Sequence, residues 1–241
     1  MSRIYKQLNA AMGKAICAYD MIADGDRIAV GLSGGKDSLT MVQLLHERRA
    51  WAPIRYEIFP IYIDPGFEGG FGRQLTAFCE QKGWRLTYEK SDHGLMAHSA
   101  ENRENPCFLC ARLRRKRLFE IAADLGCRKI ALGHNKDDLI ETLFLNICYS
   151  GEISTMVPAQ TFFGGEYTVI RPLAYAEEGK IRQYVKAQGL PRYVNPCPSA
   201  RTSKRREIKD LLERLYRSNP KIRGNIFRSM RNVKLDYLLK K

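Results

Sequence analysis

The chain has 241 residues, of which 44% are hydrophobic and 27% charged, the composition of one large α/β domain or of one domain with a small appendage. No apolar run reaches the about 18 residues of a membrane span, and Met1-Ser-Arg-Ile-Tyr-Lys-Gln-Leu8 lacks the apolar core of a signal peptide, so no membrane partner and a cytoplasmic location are expected. The net charge of +14 suits a polyanionic partner.

Residues 3–22 place apolar side chains at helical spacing, and Asp24-Gly25-Asp26 ends that helix. A buried strand is predicted over 27–32, a helix over 37–49 and a second strand over 55–63, with Pro60 inside it, closing on Asp64-Pro65-Gly66. A helix over 70–82, a third strand over 84–89 and a polar loop over 91–105 follow. Next come a helix over 107–125, a strand over 129–132, a helix over 137–149, a fifth strand over 167–172 and a helix over 176–188. Breaks at 189–191 and 195–198 precede two basic helices, predicted over 204–217 and 221–239. Strands alternating with helices predict a doubly wound, mostly parallel five-stranded sheet covered on both faces. The expected division is an α/β domain over 1–195 and a basic helical segment over 196–241. Residues 201–241 carry fourteen Lys or Arg against four Asp or Glu, a balance of +10. That tail is either a polyanion-binding surface or a solvated basic face.

In such sheets ligands bind at the carboxyl ends of strands, where Ser33-Gly34-Gly35-Lys36-Asp37-Ser38, Asp64 and Gly133-His134 fall. Glycines let a backbone approach an anion, and the start of a helix offers free amides and a favourable dipole. Ser33 and Ser38 add hydroxyls, Lys36 a positive charge, and Asp37 a carboxylate for Mg²⁺. The common phosphate loop G-x-x-x-x-G-K-[ST] is broken twice, by Val30 at its first glycine and by Asp37 at its hydroxyl position. The alternative is an ordinary tight turn with Ser38 near the cap. Asp64 suits either nucleotide contact or turn formation before Pro65. Asp137 and Asp138 suit either stabilisation of a helix N-terminus or, for Asp137, a place near a reacting group.

The seven cysteines, at 17, 79, 107, 110, 127, 148 and 197, are scattered and odd in number, unlike a secreted disulfide framework. Cys107 and Cys110 share one face at the start of a helix, where its N-terminus, Arg114 and Arg115 should favour thiolates. Their C-x-x-C is half a metal site, and Cys197, in a proline-flanked turn, is the candidate third ligand. Three thiolates can hold an iron–sulfur cluster and leave one iron without a protein ligand, an arrangement suited to sulfur transfer; free thiols or a redox pair is the other reading. Cys17, Cys79, Cys127 and Cys148 read as packed small apolar groups, and His46, His93 and His98 are assigned no role.

Ser33-Gly-Gly-Lys-Asp-Ser38 resembles the S-G-G-x-D-S signature of the PP-loop ATP pyrophosphatases, which have an adenine nucleotide α-hydrolase-like fold. Cys107-Phe-Leu-Cys-Ala-Arg-Leu-Arg-Arg115, Lys129-Ile-Ala-Leu-Gly-His-Asn-Lys-Asp-Asp138, Glu141-Thr-Leu-Phe-Leu-Asn146, Val169-Ile-Arg-Pro-Leu-Ala174 and Asn195-Pro-Cys-Pro-Ser199 resemble segments of the tRNA 2-thiocytidine synthetase (TtcA) family. The resemblance implies ATP held by residues 33–38 with contacts from Asp64, Gly133 and His134, and Mg²⁺. It implies a [4Fe–4S] cluster on Cys107, Cys110 and Cys197, and tRNA as substrate, adenylated at O2 of cytidine 32. Sulfur from sulfide or a persulfide carrier then replaces that oxygen as AMP leaves. Lys36, Asp137 and Arg114 would be the catalytic residues, with Arg114 stabilising the adenylated intermediate. A homodimer is compatible with the chain.

His134-Asn-Lys-Asp-Asp138 departs from the family's usual His-His-Arg-Asp-Asp and matches the related tRNA 2-thiouridine branch. That branch carries zinc-ribbon cysteines near its N-terminus, which have no counterpart here. The alternatives are therefore a 2-thiouridine synthetase, a PP-loop ligase, and a non-catalytic nucleotide- or RNA-binding module.

Overall fold

Strand β1 (Asp26–Gly31) is buried on both faces: Ile28 and Val30 enter one apolar cluster, and Ala29 enters another. Continuous apolar strands of this kind belong in the middle of a parallel sheet. The computed structural model, which describes residues 2–194, 196–201 and 204–239, places β1 there. Around it lie β2 (Tyr56–Asp64), β3 (Thr87–Lys90), β4 (Lys129–Leu132), β5 (Ala159–Phe162) and β6 (Tyr167–Ile170), in the order β3-β2-β1-β4-β6-β5. All neighbours run parallel except β5, which is antiparallel to β6. The sheet therefore has six strands rather than the expected five. The extra strand, β5, is a four-residue edge with no fully buried residue, and it carries no apolar alternation. Pro60 is tolerated inside β2 because pairing with β3 begins only at Ile61.

Helices α1 (Arg3–Ala18), α2 (Lys36–Arg48), α3 (Gly72–Gln81) and α7 (Glu178–Gln188) contribute to the cluster on one face. Leu118, Ile121 and Ala122 of α5 (Pro106–Asp124) pack on the other, against Ala29, Ile61, Ile130 and Val169. The sequence expected a third strand from residue 84, but Trp84 closes α3 instead, its amide bonded to the Cys79 carbonyl. The expected loop 91–105 contains the short helix α4 (His93–Ala97), which packs on α5.

The chain divides into two compact units. The first takes in Met1–Asn135 and Val157–Ala200, with the whole sheet. The second takes in Lys136–Met156 and Arg201–Lys241, so that α6 (Lys136–Leu145) joins α8 (Lys204–Ser218) and α9 (Lys221–Ser229). Its core is Ile140, Ile208 and Leu212, ringed by Phe144, Leu215, Tyr216, Ile226 and Phe227. Helix α6 stops at Leu145, short of the predicted 149, and a single π turn, Asn146–Ser150, ends at left-handed Gly151. Helix α9 stops at Ser229, short of the predicted 239. Beyond it Val233, Leu235 and Tyr237 are exposed and provide no apolar face to hold a helix.

Candidate functional site

From β1 the chain passes to β2 on one side, and β4 lies on the other, so a crevice opens at the carboxyl ends of β1 and β4. Residues 33–38 leave β1 at this point. Gly34 has φ +72°, and a Cβ there would stand 2.4 Å from the Phe71 ring. The loop closes on itself through Ser38. Its hydroxyl donates to the Gly35 carbonyl at 3.0 Å and accepts from the Ser33 amide at 3.1 Å, and Ser33 Oγ lies 3.1 Å away. Since Ser38 has one proton to give, Ser33 Oγ donates to Ser38 Oγ, and both hydroxyl protons are used within the loop. The donors left for an anion are the amides that open α2, which have no intrahelical acceptor, together with Lys36.

Gly133, leaving β4, presses on the back of this loop: a Cβ there would sit 3.0 Å from the Ser38 amide nitrogen and 3.2 Å from the Asp37 carbonyl carbon. Half-buried His134 follows, then buried Asn135, whose Nδ2 donates to Asp37 Oδ1 at 3.0 Å. Lys36 Nζ lies 2.7 Å from Asp37 Oδ2 and 2.9 Å from Glu178 Oε1. Burial alone would lower the pKa of this ammonium, but the two carboxylates outweigh it and hold the value above the ordinary lysine range. Lys36 is therefore a fixed positive charge. Glu178 is itself held by Arg182 at 2.7 Å. The sequence assigned neither Asn135 nor Glu178 a place in the site; Asn135 entered only as a departure from the family pattern.

Asp64 is buried with both oxygens engaged: Gly66 N, in the turn after β2, donates to Oδ1 at 2.9 Å, and the Tyr88 hydroxyl of β3 donates to Oδ2 at 3.1 Å.

Asn105 caps α5, its side chain accepting from the Cys107 and Phe108 amides, and Pro106 occupies the first turn. Cys107 is exposed, and Cys110 and Cys197 are half-buried. The Cys110 thiol lies within electrostatic reach of both other sulfurs and of Arg114. Burial pushes its pKa up, Arg114 pulls it down, and the neighbouring sulfurs push it up again, with a net rise. The expectation that arginines make Cys110 a thiolate is thus corrected: desolvation outweighs Arg114, which is exposed. Among the described residues no three His, Cys, Asp or Glu side chains are already gathered as for a bound ion. Three sulfurs near one another with a guanidinium alongside nonetheless form a donor set that fits iron held by thiolates. Of the remaining cysteines, Cys79 and Cys127 are buried, with thiols pushed up to about 11 by burial, as packed groups should be. Cys17 and Cys148 are exposed, contrary to expectation, on helix positions that face away from any core.

His98 fixes the turn that carries Cys197. Its Nδ1 lies 2.9 Å from the Gly94 carbonyl, which can only accept, so Nδ1 carries the proton and Nε2 accepts from the Ser199 hydroxyl at 2.7 Å. The one available signal was the Ser199 that follows Cys197 by two residues.

In the second unit, buried Asp137 stands in the first turn of α6, and Arg223 Nε of α9 lies 2.9 Å from its Oδ1. Arg223 also lies over the Tyr216 ring at 4.4 Å. Asp138 faces Arg205 at 3.5 Å, and Glu141 faces Lys209 at 3.8 Å. Part of the basic tail is therefore paired with the acids of α6.

A family model described as a PP-loop domain matches residues 2–213. A tRNA-cytidine(32) 2-sulfurtransferase of Geobacter sulfurreducens is 38% identical over 98% of this chain and 93% of its own length. The enzyme of the same name from Geotalea daltonii is 39% identical over 99% and 96%. The chain belongs to the PP-loop family, in its tRNA-cytidine(32) 2-sulfurtransferase branch. Among solved structures, this PP-loop protein is similar to the U34-tRNA thiolase NcsA from Methanococcus maripaludis with its [4Fe-4S] cluster, at a TM-score of 0.79 and 26% identity over 98% of this chain and 80% of that one. The NH3-dependent NAD synthetase of Campylobacter jejuni, at 16% identity and a TM-score of 0.51, shares the fold alone.

Proposed function

We propose that this protein is an ATP-dependent tRNA sulfurtransferase that converts a cytidine, at position 32, to 2-thiocytidine, with a [4Fe–4S] cluster on Cys107, Cys110 and Cys197. The observation that carries the reading is that Cys197, far along the chain from the Cys107–Cys110 pair, lies within electrostatic reach of Cys110, in the same unit as the phosphate loop. The kinship with named cytidine sulfurtransferases and the likeness to a cluster-bearing thiolase support it.

The amides at the start of α2 and the fixed charge of Lys36 hold the β- and γ-phosphates of ATP, Ser33 to Ser38 shape the cradle, and Asp37 is the carboxylate offered to Mg²⁺. Gly133, His134 and Asp64 serve the adenosine side. Cytidine O2 attacks the α-phosphorus and pyrophosphate leaves. Hydrosulfide then attacks C2, its proton is lost and AMP departs with the former O2; a persulfide carrier would attack through its outer sulfur, and a second thiol would cleave the S–S bond and leave with the carrier as a disulfide. Asp137 acts beside the reacting base, and Arg114 stabilises the adenylated intermediate. When bound, the cluster supplies an iron with no protein ligand, at which sulfur can bind. The setting is the cytoplasm.

The asparagine that departs from the family pattern bears on the choice of base. Asn135 donates its side-chain amide to Asp37, so its presence has a structural reason within the loop and does not by itself argue for uridine. Mass analysis of tRNA nucleosides from cells with and without the protein tests the reading. We expect 2-thiocytidine to disappear; loss of a 2-thiouridine instead would move the target base. No change in any thiolated nucleoside, in cells lacking a redundant enzyme, would sink it.

A further inference from the structure

Phe108, on the first turn of α5, is 62% exposed and lies outside the apolar clusters of the fold. One exposed apolar side chain is ordinary by itself; the surroundings of this one are not. Exposed Phe163 leans on the rings of Phe119 and Tyr167, at 5.2 and 6.0 Å. No ring packs on Phe108 among the described residues. Its neighbour is a cation instead: Arg112, one turn on, lies over the ring with its guanidinium carbon 5.7 Å from the centroid. Glu104 holds that guanidinium at 2.9 Å. The backbone under the ring is fixed too, because the Asn105 side chain caps α5 by accepting from the Phe108 amide at 3.3 Å. A ring presented in this way has only two side-chain torsions to give up on binding.

Positions 108, 112 and 115 stand at i, i+4 and i+7, on one face of the helix. The ring is thus followed along that face by two guanidiniums, within a row of exposed cations formed by Arg112, Arg114, Arg115 and Lys116. Among the described residues no carboxylate lies within ion-pair distance of Arg114 or Arg115. An open ring beside unneutralised guanidiniums matches single-stranded nucleic acid, whose bases stack on aromatic side chains while cations follow the backbone. A base inside a duplex has no free face to offer, so the ligand is an unpaired base. The ring also lies between Cys107 and Cys110, within one turn of both, so a base stacked on it adjoins the thiols. We propose that Phe108, backed by Arg112, is a stacking platform for an unpaired base of the RNA substrate. This rests on the tRNA reading above.

The test uses the full chain, purified anaerobically, with Phe108→Leu and Phe108→Tyr. It measures tRNA affinity across a salt series, affinity for a fully paired RNA duplex, and iron content. Leucine keeps the apolar bulk and the helix but has no π face. Phe108→Leu should weaken tRNA binding by about fivefold or more. The slope of log affinity against log salt should stay as it is, because no phosphate contact is lost. Duplex affinity and iron content should match the parent, and Phe108→Tyr should bind tRNA as the parent does. Parent-like tRNA affinity in Phe108→Leu overturns the platform alone, as does an equal loss on the duplex, or a tyrosine variant as weak as the leucine one. A loss of tRNA affinity that vanishes once missing iron is restored would make the ring a cover for the cluster, and overturns the platform too. A parent protein that binds no tRNA overturns the tRNA reading and the platform with it.

Discussion

At Gly133 a methyl group would meet backbone, not a side chain that could swing away: Ser38 N at 3.0 Å and Ser38 Cα at 3.1 Å. Relief requires the phosphate loop itself to move. Gly133→Ala should cost about 1–3 kcal/mol of stability, the usual range for overpacking. It should also weaken ATP binding by about tenfold or more, since small displacements of a positioning element are felt strongly in function. Gly179→Ala is the matched control, in α7, where an added Cβ meets nothing within 4 Å; there the helix should gain up to about 1 kcal/mol. Melting curves and ATP titrations of the two variants check this. Equal ATP affinities would show that the approach of β4 to the loop is not what holds the nucleotide. The need for glycine at 34 and 133 could be suspected from the sequence, because each falls where a strand ends. The partners that make it obligatory, Phe71 and Ser38, could not.

The elements divide along the same line. Apolar periodicity located β1, β2, β4, β6 and the helices that pack on them, because each buries a face that its own residues declare. It missed β5, an edge strand with no fully buried residue, and α4, a helix of only five residues. It also missed the contacts that link elements far apart in the chain: His98 to Ser199 across 101 residues and Asn135 to Asp37 across 98. The segment running from α4 to His98 has a consequence for the cysteine site. If Ser199 is pinned by His98 so that Cys197 reaches Cys110, His98 is a positioning residue for a cluster ligand. His98→Ala should lower iron retention by about tenfold, the lower end of what outer-shell partners of metal ligands contribute. Melting should change little, since the side chain is only half-buried. Iron and sulfide content and the visible absorption of anaerobically purified protein measure it. His98→Ala with a full cluster complement would show that the turn holds Cys197 without help.

For the whole molecule, the +10 balance of residues 201–241 suits a polyanion but does not say which cations are available to one. Arg223, Arg205 and Lys209 face Asp137, Asp138 and Glu141, while Ile208 and Leu212 build a core with Ile140. Deleting the tail would therefore strip α6 of its packing as well as removing charge, and a loss of tRNA binding after deletion would carry no electrostatic meaning. Arg214, Arg217, Lys221 and Arg228 are exposed on α8 and α9 and contribute little to the core. Replacing all four by Gln should leave melting unchanged, since surface charges contribute little to stability. If each neutralises one phosphate, the slope of log tRNA affinity against log salt should fall by about three to four. Arg223→Gln should behave in the opposite way. It leaves Asp137 buried without its guanidinium, so the second unit should melt lower, while the salt slope changes less than for the quadruple variant. An unchanged slope in the quadruple variant would mean that this face of α8 and α9 is solvated and that the RNA is held elsewhere, with the row on α5 as the remaining cationic surface.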